Sequence, residues 1–182
     1  MDRDLQSELA SLPSVFLSVG EGGLYDTPCF VRTVLGSCVS VTFHARSRQI
    51  GGIFHALLPE ARDHCKPGEP LNHYRFVDTA IAAVLEQLAS CGCHRRHLEA
   101  KVFGGAGIMP GKGFDVGRRN VSTALAVLEH HGLRVAASSV GGRFGRKLLF
   151  RSDTGEVFVK QIVSSSGLQA AGVVDVCAKK GR

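Results

Sequence analysis

A chain of 182 residues, 44% hydrophobic and 21% charged, has enough apolar material for one domain with a sizeable core, and this balance excludes an intrinsically disordered protein. No apolar run approaches the roughly 18 residues that a bilayer-spanning helix needs, so no membrane insertion is expected. The net charge of +6 suits an acidic partner, but nucleic acid is disfavoured: aromatic residues make up 7%, Trp is absent, and no basic run is interleaved with Phe or Tyr.

The first residues, Met1 to Glu8, carry acidic side chains where a secretory leader would be basic and then apolar, so a cytoplasmic protein is expected. Six cysteines, Cys29, Cys38, Cys65, Cys91, Cys93 and Cys177, follow no framework spacing and are read as free thiols in a reducing compartment. Residues 14–19 form an apolar, partly alternating run that predicts a strand, and Gly20, Gly22 and Gly23 predict a turn after it. A strand pair is predicted at residues 30–35 and 39–43, broken by Gly36-Ser37-Cys38. Another strand is expected from Ile50 to Leu58, closed by Pro59. From Tyr74 to Ser90 the apolar residues Phe76, Ala80, Ile81, Val84, Leu85 and Leu88 recur at helical spacing, and Gly92 supplies a stop.

Residues 98–103 predict a strand leading into Gly104-Gly105-Ala106-Gly107. A second helix is expected to begin near Asp115, capped by it, with Val121, Leu125 and Leu128 on one face and Gly132 at its end. Strands at 133–140, 147–151 and 156–162 follow, the last two joined by a hairpin turn at Ser152-Asp153-Thr154-Gly155. Together these elements predict a mixed α/β or α+β domain with helices on one face of a largely antiparallel sheet. A single domain is expected over residues 1–164. Residues 165–182, rich in Ser, Gly and Ala and basic at the end, are expected to be a mobile tail.

The chemistry concentrates at Cys38 and, seventeen positions later, His55. Both reactive side chains interrupt strand-like apolar runs. Attack on an amide carbonyl needs a thiolate, an imidazole to take and return the proton, and backbone N–H donors for the developing oxyanion. Gly36 is read as permitting a tight backbone before Cys38, whose N–H then points into the same cavity as its sulfur. A lone Cys at a strand edge is also commonly a small buried apolar residue, and a lone His a structural one. Spacing by itself leaves both readings open.

Four blocks occur in order: Thr33-Val34-Leu35-Gly36-Ser37-Cys38, then Gly51-Gly52-Ile53-Phe54-His55-Ala56-Leu57-Leu58-Pro59, then Lys101-Val102-Phe103-Gly104-Gly105-Ala106, then Val116-Gly117-Arg118-Arg119-Asn120. Together they resemble the CheD family over about residues 14–162. The resemblance implies hydrolysis of particular glutamine side chains of bacterial chemoreceptors to glutamate, through a Cys-His-Thr site on a layered α/β/β sandwich with two main helices. Cys38 and His55 match the family's catalytic pair. Thr33, the only threonine in its stretch, is assigned to orient the His55 ring, with a backbone carbonyl as the alternative and Ser37 as the competing hydroxyl. Gly36, Ser37, Gly104, Gly105, Arg119 and Asn120 are read as substrate-binding.

Near-misses are set aside on spacing. A P-loop ending at Gly111-Lys112 would need Gly at Ala106 and Ser or Thr at Gly113, and a dinucleotide fingerprint fails at Pro110. Cys91-Gly92-Cys93-His94 lacks the matched second pair of a structural zinc site, so neither metal nor cofactor is expected. The resemblance further implies chemoreceptors as substrate and a CheC-like phosphatase as partner. A monomer is expected. A non-catalytic binding regulator and a cysteine peptidase are the competing functions.

Overall fold

The computed structural model describes residues 7, 9–66, 68, 70–107, 112–163 and 174–175. In chain order it contains β1 (Ser14–Phe16), β2 (Gly22–Tyr25), β3 (Phe30–Leu35), β4 (Val39–Ala45), β5 (Ile50–Phe54), α1 (Val77–Ser90), β6 (Leu98–Gly104), α2 (Lys112–His130), β7 (Val135–Val140), β8 (Arg146–Arg151), β9 (Val157–Gln161) and β10 (Val174–Asp175). Two five-stranded sheets result, ordered β1-β3-β8-β9-β10 and β2-β5-β4-β6-β7. β1 runs parallel to β3 and β6 parallel to β7, while the other pairings are antiparallel. The fold is α+β, as the element pattern predicts.

Strand β4 explains the layering, because all seven of its residues are buried. A strand hidden on both faces has a layer above and a layer below it. Its odd-numbered residues Val39, Val41, Phe43 and Ala45 pack with Ile81, Val84 and Leu88 of α1 and Ala124 and Leu128 of α2. Successive side chains alternate in a strand, so Ser40, Thr42 and His44 face the other sheet. On that side Cys38, Ile53 and Phe103 pack with Val31, Leu35, Leu148 and Phe150. The molecule is thus helices on sheet on sheet, an α/β/β sandwich.

Two buried polar side chains cross between the sheets. His44 Nε2 lies 2.8 Å from the Asp153 carbonyl oxygen, and Lys101 Nζ donates to the Gly155 carbonyl oxygen at 2.8 Å. They hold the β8–β9 hairpin, whose turn falls at the predicted residues, with Arg151 N donating to Glu156 O at 2.9 Å.

Several expectations need correction. β3 and β4 do not pair: β3 lies in one sheet and β4 in the other, so Gly36-Ser37-Cys38 is a crossing between layers. Gly22 and Gly23, read as turn residues, instead belong to β2, which pairs antiparallel with β5. Helix α2 begins at Lys112, so Asp115 lies inside it rather than at its cap. Its inward stripe is Gly117, Asn120, Ala124 and Leu128, whereas Leu125 is exposed. The predicted tail lies outside the described residues, except that Val174 and Asp175 pair with β9.

Candidate active site

The crossing from β3 to β4 is fastened through three successive carbonyls. Gly36 O accepts from Ala106 N at 2.8 Å, Ser37 O from Asn120 Nδ2 at 3.0 Å, and Cys38 O from Gly105 N at 2.8 Å. Such close backbone approach explains the glycines at the end of β6. Gly104 has φ +107° and Gly105 φ +66°, and a side chain on Gly104 would run into the Cys38 carbonyl. Only glycine takes these conformations readily. Gly36 does not share this role, because its φ is not positive.

His55 follows β5, and its backbone is held on both sides. Its N–H donates to Glu21 O and its carbonyl accepts from Gly20 N, each at 2.8 Å. Val39 and Ala56 exchange hydrogen bonds of 3.0 and 2.9 Å, continuing the register of β4 with β5. Counting outward, Leu57 stands opposite Cys38 and Ser40 opposite His55. Cys38 and His55 are therefore diagonal neighbours on the inter-sheet face, a relation that spans roughly 7–8 Å at Cα and lies within reach of long side chains.

Thr33 meets this face from the other sheet. Its Oγ1 lies 2.8 Å from His55 Nδ1 and donates to the Leu17 carbonyl at 2.8 Å. A hydroxyl has one proton, and this one is directed at Leu17. Toward His55, Thr33 can only accept, so Nδ1 carries the imidazole proton and Nε2 presents a lone pair. That Nε2 is buried with no hydrogen-bond partner among the described residues.

Burial sets the electrostatics. Cys38 is 9% exposed and His55 4%, so both side chains are buried. Burial pushes the His55 imidazole below its ordinary value of 6.5, against the opposing pull of the Leu17 carbonyl and the Glu21 charge. Burial pushes the Cys38 thiol above its ordinary 9.0, partly offset by its own backbone amide, which favours the thiolate. At neutral pH Cys38 is held as a thiol and His55 as a neutral imidazole. Those protonation states suit general-base chemistry with Nε2 as the acceptor.

The other sequence-derived residues surround this centre unequally. Gly36, Ser37, Gly104 and Gly105 form the backbone cradle just described. Asn120 is fully buried behind it, donating to Ser37 O and to Leu57 O, both at 3.0 Å. It reaches a substrate only through the backbone it holds. Arg119 is half-exposed and pairs with Asp63 at 2.9 Å. A cavity of about 370 Å³, walled by Val121, Leu125 and Val140, opens beside Gly105. The Leu17 carbonyl and Ser40 went unremarked in the sequence. The first is backbone and leaves no signature, whereas alternation through Val39 and Val41 marks Ser40 as a polar side chain facing inward.

A profile for CheD chemotactic sensory transduction matches residues 57–161. The chain belongs to the CheD family. It is 47% identical over 157 residues to a probable chemoreceptor glutamine deamidase CheD of Oleidesulfovibrio alaskensis, covering 82% of this chain and 73% of that one. Similarly named proteins of Geobacter sulfurreducens and Pyrococcus abyssi are 43% and 36% identical, covering 83% and 74% of this chain and 91% and 83% of theirs. The profile match begins at Leu57, two residues after His55, and includes Gly104, Gly105, Arg119 and Asn120. In this CheD chain Cys38, His55 and Thr33 lie outside the matched span. The matched span supplies the backbone and helix that surround them.

Proposed function

We propose that this protein hydrolyses specific glutamine side chains of chemoreceptors to glutamate, with Cys38 as nucleophile, His55 as general base and acid, and Thr33 orienting the ring. The observation that carries the reading is the hydrogen-bond chain from His55 Nδ1 through Thr33 Oγ1 to Leu17 O, because it leaves Nε2 with the free lone pair that a general base needs.

The chemistry follows in two halves. His55 Nε2 takes the Cys38 proton as sulfur bonds to the amide carbon, and the carbonyl electrons move to oxygen. When that oxyanion collapses, the C–N bond breaks, the imidazolium gives its proton to nitrogen, and ammonia leaves a thioester. His55 then deprotonates a water that attacks the thioester, and sulfur departs and regains its proton, yielding glutamate. A glutamate methyl ester fits the same route, with methanol as leaving group.

In this reading residues 1–164 form one catalytic domain that acts as a monomer in the cytoplasm, with Arg119, the glycine cradle and the cavity beside Gly105 serving the receptor segment. A CheC-like phosphatase is its proposed regulatory partner. The described residues contain no helix long and apolar enough to cross a membrane. Mass spectrometry of a receptor cytoplasmic fragment tests the activity: wild type adds about one dalton per modified site and releases ammonia, whereas Cys38→Ala does neither. Equal modification by both proteins would remove Cys38 from the mechanism and leave a binding role.

A further inference from the structure

On α2 the residues facing the sheet are Gly117, Asn120, Ala124 and Leu128, and Asn120 is the polar member of that stripe. Its Nδ2 stands 3.0 Å from each of two carbonyl oxygens, Ser37 O and Leu57 O. An oxygen at that position would face two lone-pair acceptors, so the orientation of the amide is fixed by its surroundings. Its Oδ1 is buried without a partner among the described residues. The unpaired acceptor lowers stability, and the two donated bonds offset it by pairing carbonyls that a Leu of similar volume would leave without this donor.

The two carbonyls are informative in themselves. Ser37 enters Cys38, and Leu57 stands opposite Cys38 in the β4–β5 register, two residues beyond His55. One side-chain amide thus ties the peptide before the thiol to the segment carrying the imidazole. The peptide unit is planar and trans, so its C=O and N–H point in opposite directions. With the Ser37 C=O held toward α2, the Cys38 N–H is turned away from the helix, to the inter-sheet side where the Cys38 side chain packs. Burial raises the Cys38 thiol, and its own backbone amide opposes that shift by favouring the thiolate.

We infer that Asn120 is the positioning residue of an oxyanion hole, holding the Ser37–Cys38 peptide so that the Cys38 N–H meets the substrate carbonyl oxygen as charge develops on it. The inference rests on the deamidase reading above and names the residue that prepares its transition state. Neighbouring bonds cooperate, since Gly36 O and Cys38 O are tied to Ala106 N and Gly105 N. Those two are backbone contacts. Asn120 is the side chain through which this alignment is set, and it can be replaced.

The experiment compares wild type with Asn120→Ala and the similar-sized Asn120→Leu, using two readouts. On a receptor cytoplasmic fragment both variants are expected to lose about 10–100-fold in kcat with KM within threefold, since losing a whole oxyanion donor costs roughly 10²–10³. The second readout needs no substrate: the pH dependence of Cys38 alkylation by iodoacetamide should move to higher pH in both, because a misdirected amide no longer favours the thiolate. Circular dichroism and thermal melting establish that the variants are folded. Folded variants with a wild-type alkylation profile overturn the inference, whatever their kcat. So does unfolding of both, which would make Asn120 a brace of the fold alone. If wild type releases no ammonia the deamidase reading fails, while the alkylation profiles still decide whether Asn120 aims the Cys38 amide.

Discussion

Thr33 Oγ1 lies 2.8 Å from His55 Nδ1 and 2.8 Å from the Leu17 carbonyl oxygen, and its single proton belongs to the second contact. The threonine therefore acts as a directional adaptor between a backbone acceptor in one segment and an imidazole in another. A bare carbonyl beside Nδ1 would select the same tautomer, but Thr33 also fixes the ring from a strand whose position the inter-sheet core determines.

Thr33→Val keeps the volume and removes both hydrogen bonds. The Nδ1–H and the Leu17 carbonyl are then buried without that partner, which costs about 1–3 kcal/mol for such a group. On the proposed mechanism deamidation should fall by roughly 10²-fold in kcat as the His55 ring loses its orientation, while Thr33→Ser retains most activity. Ammonia release and urea melts read the two effects separately. A Thr33→Val enzyme within twofold of wild type would show that the hydroxyl does not position the ring.

The pH profile follows from two opposed shifts. Burial lowers His55 below 6.5 and raises Cys38 above 9.0, so the competent pair, neutral imidazole and protonated thiol, persists between those limits. kcat/KM should rise on an acid limb below pH 6.5, stay level through neutrality, and change again only above pH 9.0. Rates on a receptor fragment, measured in buffers of constant ionic strength, test this. An acid limb centred above pH 7 would instead show that the His55 imidazole is not held below its ordinary value.

The same burial links stability to acid. His44, held against the Asp153 carbonyl, is also pushed below 6.5, chiefly by desolvation. Because the unfolded chain binds these protons first, the stability is fully present above pH 6.5 and is lost as pH falls through the folded-state values. Each group contributes at most about 1.4 kcal/mol per pH unit in that window. Urea midpoints from pH 8 to 5 should fall more steeply for wild type than for His44→Gln. Parallel curves would mean that His44 titrates equally in the folded and unfolded states.

Much of this arrangement was legible because local pattern and final environment agree. β3 reads as a half-buried strand, with Arg32 and Val34 outward and Val31, Thr33 and Leu35 inward, and the sheet preserves that alternation. β4 is buried throughout, so alternation there marks two different interiors rather than core and solvent. That difference hid the sheet change at Cys38: two adjacent strands with a short break look like a hairpin unless the second is known to be covered twice. Gly22 and Gly23 carry no side-chain pattern, so β2 has no periodicity to read. The α2 face was misjudged because Leu125 is apolar but exposed, whereas Gly117 and Asn120, with weak or polar side chains, face inward. Thr33 and His55 were legible as residue types, but their contact depends on two sheets facing each other, a relation no spacing encodes.

Gly104 offers a test of the cradle that leaves the reactive side chains untouched. Its φ of +107° is unfavourable for any residue with a Cβ, and that Cβ would collide with the Cys38 carbonyl, a backbone group unable to swing aside. Gly104→Ala must therefore displace either the end of β6 or the peptide after Cys38, which weakens the bond from Gly105 N to Cys38 O. Strain of this kind costs on the order of 1–3 kcal/mol. Since the shift falls on the backbone that carries the thiol, the expected outcome is a folded protein with kcat reduced at least tenfold, because a displacement near 1 Å costs on the order of 10²-fold. Gly68→Ala is the control: its φ of +86° brings similar backbone strain, with open space around the new methyl group. If the two variants lose stability equally and neither loses activity, the close approach of Gly104 to Cys38 has no bearing on catalysis.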